Sequence, residues 1–347
     1  MDSPADPHPR RLSPLTLTAA LFGLVLFGWT IREAGLGLVA DGIRRVGWGL
    51  VVILGLAGLR FLVRAWAWSL SADGPALRVR DTFTALVMGD ALGNLTPLGL
   101  FVSEPAKAAF VRHRVSLMSA LASITLENLF YAQTVALVIA AGTVGLLWVV
   151  SVSAALREAA LFALVVMALV MISGTLVLTQ RLSLVAPTLA WLERRGLLPA
   201  ALAVRLDKLR SLESQVVGFA ARHPARVVAI LGIEMLFHVL GVIEVWVTLL
   251  LLVGPAAPTL LSTFLLEAVN RTITVLFKFV PLRLGVDEAG TEIVTRVLAL
   301  PAGVGVTMAV VRKVRMLAWM ALGVALLSAR GVRRSRSPAV PPSTSAS

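Results

Sequence analysis

Charged side chains that interrupt long apolar runs are the groups in this sequence able to do chemistry. Glu104 and Glu288 each close a proline-led break in a hydrophobic segment. The first break, from Pro97, reads PLGLFVSE, and the second, from Pro281, reads PLRLGVDE. Both glutamates are expected at the starts of half-helices. A carboxylate there either complements the helix dipole, worth about 0.3–1 kcal/mol, or acts as a switchable polar group on a path through a membrane. Lys107, Arg112 and Arg114 follow the first break as a basic cluster, suited to a lipid phosphate or to anchoring a helix at the head groups. Asn94 is placed to cap broken backbone. Glu127 and Arg312 each interrupt an apolar segment, as members of an ion pair or as substrate contacts.

Arg60 and Arg64 lie four apart, on one helix face. Their first reading is snorkelling to the membrane interface; contact with a phosphate is the alternative. Glu234 and His238 share the same spacing. Nothing completes a metal site around them, so they read as hydrogen-bonding groups between helices. Glu267, Asn270, Arg271 and Lys278 lead into the second break and can pair across it. No glycine-rich phosphate loop, nucleotide motif or Ser/His/Asp set is present, so no cofactor, no metal and no enzymatic reaction are expected.

The elements that must hold these groups follow from composition. The chain is 58% hydrophobic and 15% charged, with a mean hydropathy of +0.88. Soluble domains run near 45–50% apolar and about 25% charged, so the solvent this chain needs is lipid. Its formal charge of +13 fits positive cytoplasmic loops and anionic head groups rather than nucleic acid. There are no cysteines, which excludes disulfides and thiol chemistry.

A spanning helix takes about 20 apolar residues. On that measure the expected fold is an all-α polytopic membrane protein with about six full spans, near 15–31, 47–70, 116–150, 158–179, 227–253 and 304–328. The first is read as an uncleaved span. The segments 82–115 and 257–300 are each split by a break and read as re-entrant hairpins, tolerated at membrane depth only where protein or water satisfies the backbone. Residues 36–46 are amphipathic. Residues 184–222 read as one basic amphipathic helix on the cytoplasmic face. The ends, 1–14 and 331–347, are expected to be a cytoplasmic segment and a disordered tail. Dense Arg in 180–226 and in the tail places both termini in the cytoplasm, with Arg44 and Arg45 outside as a mild violation.

The two breaks match at Pro, Leu, Leu, Val and Glu. If 116–150 crosses once, three spans separate the hairpins. They then enter from opposite sides, as an inverted repeat of the kind that builds a transporter site at the midplane. Two crossings by 116–150 would make the repeat parallel.

At these residues the chain resembles a known family. Asn94-x-x-Pro97, then Ser103-Glu104-x-x-Lys107, then Glu127 in the next span, is similar to the flippase-like membrane family. That family includes the transmembrane domain of lysylphosphatidylglycerol synthases, the multiple peptide resistance factors. The block from Pro281 to Glu288, followed by Arg312, also fits. The resemblance covers roughly residues 12–328, and NLTPLGLFVSEPAKA looks closest to a branch associated with hopanoid biosynthesis. Val102-Ser103 stands where many members have paired glycines. Lys107 stands where many have Arg, which keeps the charge but loses the bidentate fork. The synthases' aminoacyl-transferase domain has no counterpart in this sequence.

The resemblance implies lipid translocation, or a related lipid-handling role, in a bacterial inner membrane without lipid modification. An ion gradient or the lipid's own gradient would drive it. Expected partners are a phospholipid, isoprenoid-phosphate or hopanoid-type substrate, anionic head groups, lipid-synthesis enzymes and a second copy of the chain. A non-catalytic assembly factor for a lipid-synthesis complex, docking through 184–222, is the alternative. An intramembrane lipid enzyme is a weaker third.

Overall fold

The computed structural model describes residues 44–73, 77–95, 99–149, 153–179, 185–195, 206–254, 259–277, 280, 283 and 285–335. The expected first span, the N-terminal segment, most of 36–46, Pro97, Pro281, Lys278 and the tail after Ser335 lie outside them. All regular structure among the described residues is helical: α1 (Gly49–Leu70), α2 (Val79–Leu95), α3 (Gly99–Phe110), α4 (Leu117–Val149), α5 (Ala154–Thr179), α6 (Val185–Arg194), α7 (Leu206–Arg222), α8 (Pro224–Val253), α9 (Leu260–Leu276), α10 (Val286–Val297) and α11 (Val304–Ser335).

Four of these helices, α1, α4, α8 and α5 from Arg157, are long and apolar enough to cross a membrane. α11 has 32 residues, but Arg312, Lys313 and Arg315 make it less apolar. Its first part covers the expected sixth span. It also runs five residues into the segment expected to be disordered, because 331–335 continue its helix. α4 is one helix of 33 residues, about 50 Å at the usual rise, so 116–150 crosses once. The expected helix over 184–222 is instead two helices, α6 and α7.

Helices α2 and α3 fold against each other, as do α9 and α10. With 17 and 12 residues in each pair, these helices fall short of the about 20 needed to cross. The first hairpin closes where α3 begins, because a side chain on Gly99 would strike the backbone of Gly93. This close approach starts α3 at Gly99, ahead of the expected start at Ser103. Pro105 then falls inside the helix, where it forgoes a backbone hydrogen bond. In the second hairpin Thr259 caps α9 by accepting from the Ser262 N–H. Gly285, at φ 79°, turns the chain into α10, a conformation that favours glycine.

The packing repeats. α1 lies on α2 as α8 lies on α9, and α3 on α4 as α10 on α11. Across the halves, α2 packs on α11 and its counterpart α9 packs on α4. α1 and α8 pack on each other and run antiparallel: Gly49 lies by Leu251, Arg60 by Glu244, and Ala72 by Arg226. Two equivalent helices that meet antiparallel place the pseudo-twofold axis between them, so the repeat is inverted.

The core is shared around this seam. Val63, Leu126, Phe130, Phe219, Ile230 and Phe237 form one cluster. Trp68, Leu86, Val111 and Ile124 join α1 to the first hairpin, and the Trp68 indole donates to Ser123 at 2.9 Å. In lipid such contacts act through packing and hydrogen bonds more than through water exclusion. α5 carries exposed Leu161, Phe162, Val165, Leu169 and Ile172, a surface suited to acyl chains.

Candidate functional site

The charged residues of the membrane-depth helices converge on the seam. Arg60, half-way along α1, donates to Glu244 at 2.9 Å and lies 3.8 Å from Glu267. Arg315 from α11 grips the other oxygen of Glu244. Arg271 reaches Glu267 at 2.6 Å and donates to the Tyr131 hydroxyl at 3.3 Å. The guanidinium groups of Arg60 and Arg271 both lie over the Phe237 ring, at 4.4 and 4.9 Å. Gly241 makes room for this pairing, because a Cβ there would sit 2.6 Å from the Glu267 carboxylate. Arg312 donates to Asn270 at 2.9 Å and to Thr291 at 3.2 Å.

A second layer lies one turn further along α1. Arg64 donates to Glu127 at 2.8 Å and stacks on Tyr131 at 4.3 Å. Next to Glu127, Asn128 donates to Glu104 at 3.0 Å, and Lys107 donates to Glu104 at 2.9 Å. The first hairpin thereby joins the network. At the second hairpin Glu288 accepts the Gly285 N–H at 2.7 Å, and Lys313 lies 2.8 Å from it. Lys313 also meets Asp287, at 3.4 Å. Charged groups at membrane depth cost about 2.5–3.5 kcal/mol each on insertion scales; this network offsets much of that by mutual pairing, while both oxygens of the buried Glu234 beside it have no hydrogen-bond partner.

A cavity of about 560 Å³ opens beside the network, between α4, α5 and the junction of α7 with α8. No charged residue lines it; Gln133, Thr134, Thr175 and Thr179 are its polar members. Thr134 bonds His238 at 3.2 Å, and His238 stacks on Tyr131, so the cavity wall touches the charged layer.

A family model for the lysylphosphatidylglycerol synthase transmembrane region matches residues 16–325. The chain belongs to that family. No curated protein and no solved structure matches it. Membership ties this fold, with both hairpins and the whole charge network inside the matched region, to a membrane protein family named for lipid chemistry.

Within this family member, Glu104, Lys107, Glu127, Glu288 and Arg312 lie in or beside one network, but not as first read. Glu104 is not at a helix start: α3 begins five residues earlier, and Glu104 bonds Lys107 and Asn128. Glu288 is at one, and caps it. Glu127 and Arg312 do not pair with each other; Glu127 takes Arg64, and Arg312 takes neutral partners. Asn94 donates to the Asp90 carbonyl and carboxylate at 3.0 and 3.1 Å, inside its own helix. Arg60 and Arg64 do not snorkel, since partners from α4, α8 and α9 hold them inward. Arg112 is exposed in the turn after α3 and Arg114 meets Asp81 at 3.0 Å, both open to head groups. Glu267 and Arg271 pair along α9, and Asn270 reaches across to α11. The basic helix α7 uses its apolar face inside the chain, with Val216, Val217 and Phe219 buried.

Sequence reading missed Glu244, Arg315, Lys313 and Tyr131. Glu244 was available to it: it lies 184 residues after Arg60, the spacing of the two breaks, and interrupts an apolar run. In an antiparallel pair of equivalent helices, the two positions related by that offset meet only where the helices cross the twofold axis, and Arg60 and Glu244 are that pair. Opposite charges there form a bond that two identical residues could not.

Proposed function

We propose that this chain translocates or transports a lipid across the bacterial inner membrane without changing it covalently. The observation that carries the reading is the charge layer shared by two inverted halves, with Glu104 left partly open at its edge (side chain 21% exposed). Guanidinium groups and carboxylates so arranged exchange partners with a phosphate-bearing or polar head group as it passes. The adjoining uncharged cavity, within the about 300–1,000 Å³ range of ligand sites, suits the lipid's apolar part. Candidate substrates are a phospholipid, an isoprenoid phosphate and a polar hopanoid.

Asp73 bonds Arg222 and His223 at 3.0 and 3.2 Å, which puts the loop after α1 on the same side as α7. Leu326 and Ala329 of α11 share a pocket there with Arg78, Arg80 and Arg114. This arginine-rich side is assigned to the cytoplasm, with both termini.

The test is lipid movement in vesicles containing the reconstituted chain. The probes are a head-group-labelled phospholipid, a polyprenyl phosphate and a polar hopanoid. Movement of one of them, cut at least tenfold by Glu104→Gln, is the expected result. If wild type moves none of the three, the transport reading fails. Movement indifferent to Glu104→Gln leaves transport standing and removes this site from it.

A further inference from the structure

Glu127 and Glu234 are both 0% exposed. α4 and α8 each run antiparallel to α9, the first through Tyr131–Arg271 and Gly145–Leu265 and the second through its short connection, so they lie parallel to each other. Tyr131 stacks on His238 at 5.9 Å, and one turn earlier on each helix stand Glu127 and Glu234. The shared register of the two parallel helices sets these carboxyl groups side by side.

Their partners do not suffice. Arg64 bonds one oxygen of Glu127. The other oxygen of Glu127 and both oxygens of Glu234 have no hydrogen-bond partner. The cations facing Glu234 are Arg64 from α1 and Arg271 from α9. Arg271 is engaged by Glu267 and by the Tyr131 hydroxyl, and Arg60 by Glu244. Thus two buried carboxylates share one bonded guanidinium, and three of their four oxygens are without a hydrogen-bond partner. Unpaired buried carboxylates are strongly unfavourable, and two that share a site cannot both stay charged without a cation between them.

We propose that Glu127 and Glu234 bind one small monovalent cation, a proton or a sodium ion, as the coupling ion of the transporter. Hard oxygen ligands suit either. A physical link runs from the ion to the first hairpin: Arg64 also donates to Asn128 at 3.4 Å, and Asn128 donates to Glu104 at 3.0 Å. A cation between the carboxylates weakens the hold of Glu127 on Arg64, which frees Arg64 and Asn128 to release Glu104. The coupling rests on the transport reading; the binding does not.

The experiment uses the full chain in nanodiscs with no transported lipid added. Two signals are read: the infrared C=O band of a protonated carboxyl group, and the melting temperature in sodium chloride against choline chloride. If the ion is a proton, wild type shows the band in sodium-free buffer, sodium leaves it unchanged, and Glu234→Gln removes it. If it is sodium, sodium chloride raises Tm above its value in choline chloride, and Glu234→Gln abolishes that rise. Glu234→Leu repeats the comparison should Gln not fold. Wild type showing neither signal overturns the proposal, as do signals that survive both substitutions. In lipid-movement vesicles, an imposed gradient of the identified ion is expected to accelerate wild type several-fold and Glu234→Gln not at all. Lipid movement without ion binding refutes the ion site alone; ion binding without lipid movement refutes transport alone.

Discussion

Glu104 and Glu288 occupy equivalent places in two inverted hairpins, yet the first is partly exposed and bonded by a neighbouring helix, while the second is fully buried and closes its own helix. The second hairpin is built as a clamp. Asp287 and Glu288 at the start of α10 hold Lys313 of α11, and Glu292 accepts the N–H groups of Gly303 and Val306 where α11 begins. Among the described residues, the carboxylate of the first hairpin that reaches α4 is Glu104, and its tie there is the amide of Asn128. Two copies of one template therefore differ, one closed by buried bonds to the next helix and the other left with a partly exposed polar contact. That is the asymmetry expected if one half serves as frame and the other moves against it.

The widest predicted gap between them is in stability. Glu288→Ala removes a cap and leaves Lys313 without its closest partner at depth, and is expected to lower unfolding free energy by about 3–5 kcal/mol. Glu104→Ala, with solvent access and a flexible partner, is expected to lower it by about 1 kcal/mol. Thermal and denaturant unfolding of the solubilised protein measures both. Equal losses would erase the distinction between frame and moving half.

Next in size is the seam itself. Glu244→Gln leaves the buried Arg60 and the half-buried Arg315 without their shared carboxylate, an expected loss of about 3 kcal/mol. Arg60→Met should be milder, about 1–2 kcal/mol, because Arg315 still neutralises Glu244. The reverse order in the same unfolding measurement would mean that Arg60 leans on Glu267 more than on its symmetry mate.

Sequence reading reached the repeat because PLxLxVxE is locally complete: the residues that carry the signal are neighbours in the chain, whereas its inverted sense hung on whether 116–150 forms one helix, which α4 answers. It placed every long apolar helix among the described residues for the same reason, since periodicity and length are local. It missed the start of α3, which Gly99 settles by lying against Gly93 on another helix, while Ser103-Glu104-Pro105 imitates a helix start. It sent Arg60 and Arg64 to the interface because nothing near them in sequence can neutralise them. Their partners lie 184 and 63 residues away. Pairing of that range is visible only through the repeat offset or through the folded helices.

A smaller effect isolates the first hairpin. The Lys107 side chain runs over Gly89, and a Cβ at that position would need Lys107 to shift. Gly89→Ala is expected to cost about 1–3 kcal/mol as overpacking and to slow lipid movement by pulling Lys107 from Glu104. Gly290→Ala, against Ile273 in the second hairpin, should cost a similar amount of stability and leave movement closer to wild type. Equal slowing by both would show that movement answers to hairpin packing in general rather than to the Lys107–Glu104 contact.

The smallest predicted effect concerns how the loop before the first hairpin is tied down. Burial pushes the Asp73 carboxyl up, but hydrogen bonds from His223 and Arg222 and the charge of Arg222 outweigh it, so its pKa lies below the ordinary value. A carboxyl depressed on folding stabilises the fold above its unfolded pKa, near 3.9. That contribution shrinks as pH falls below this value and is gone once pH passes the lower folded one. The pair is well exposed, with side chains 46% and 39% accessible, so solvent and salt screening hold its worth below about 1 kcal/mol. Asp73→Asn should therefore lower Tm slightly at neutral pH in low salt, and wild type and variant should converge as pH drops below about 4 or as salt rises. A deficit in Asp73→Asn that persists in acid and in high salt would mean that Asp73 acts through its backbone turn, and the first hairpin would then be anchored by shape rather than by charge.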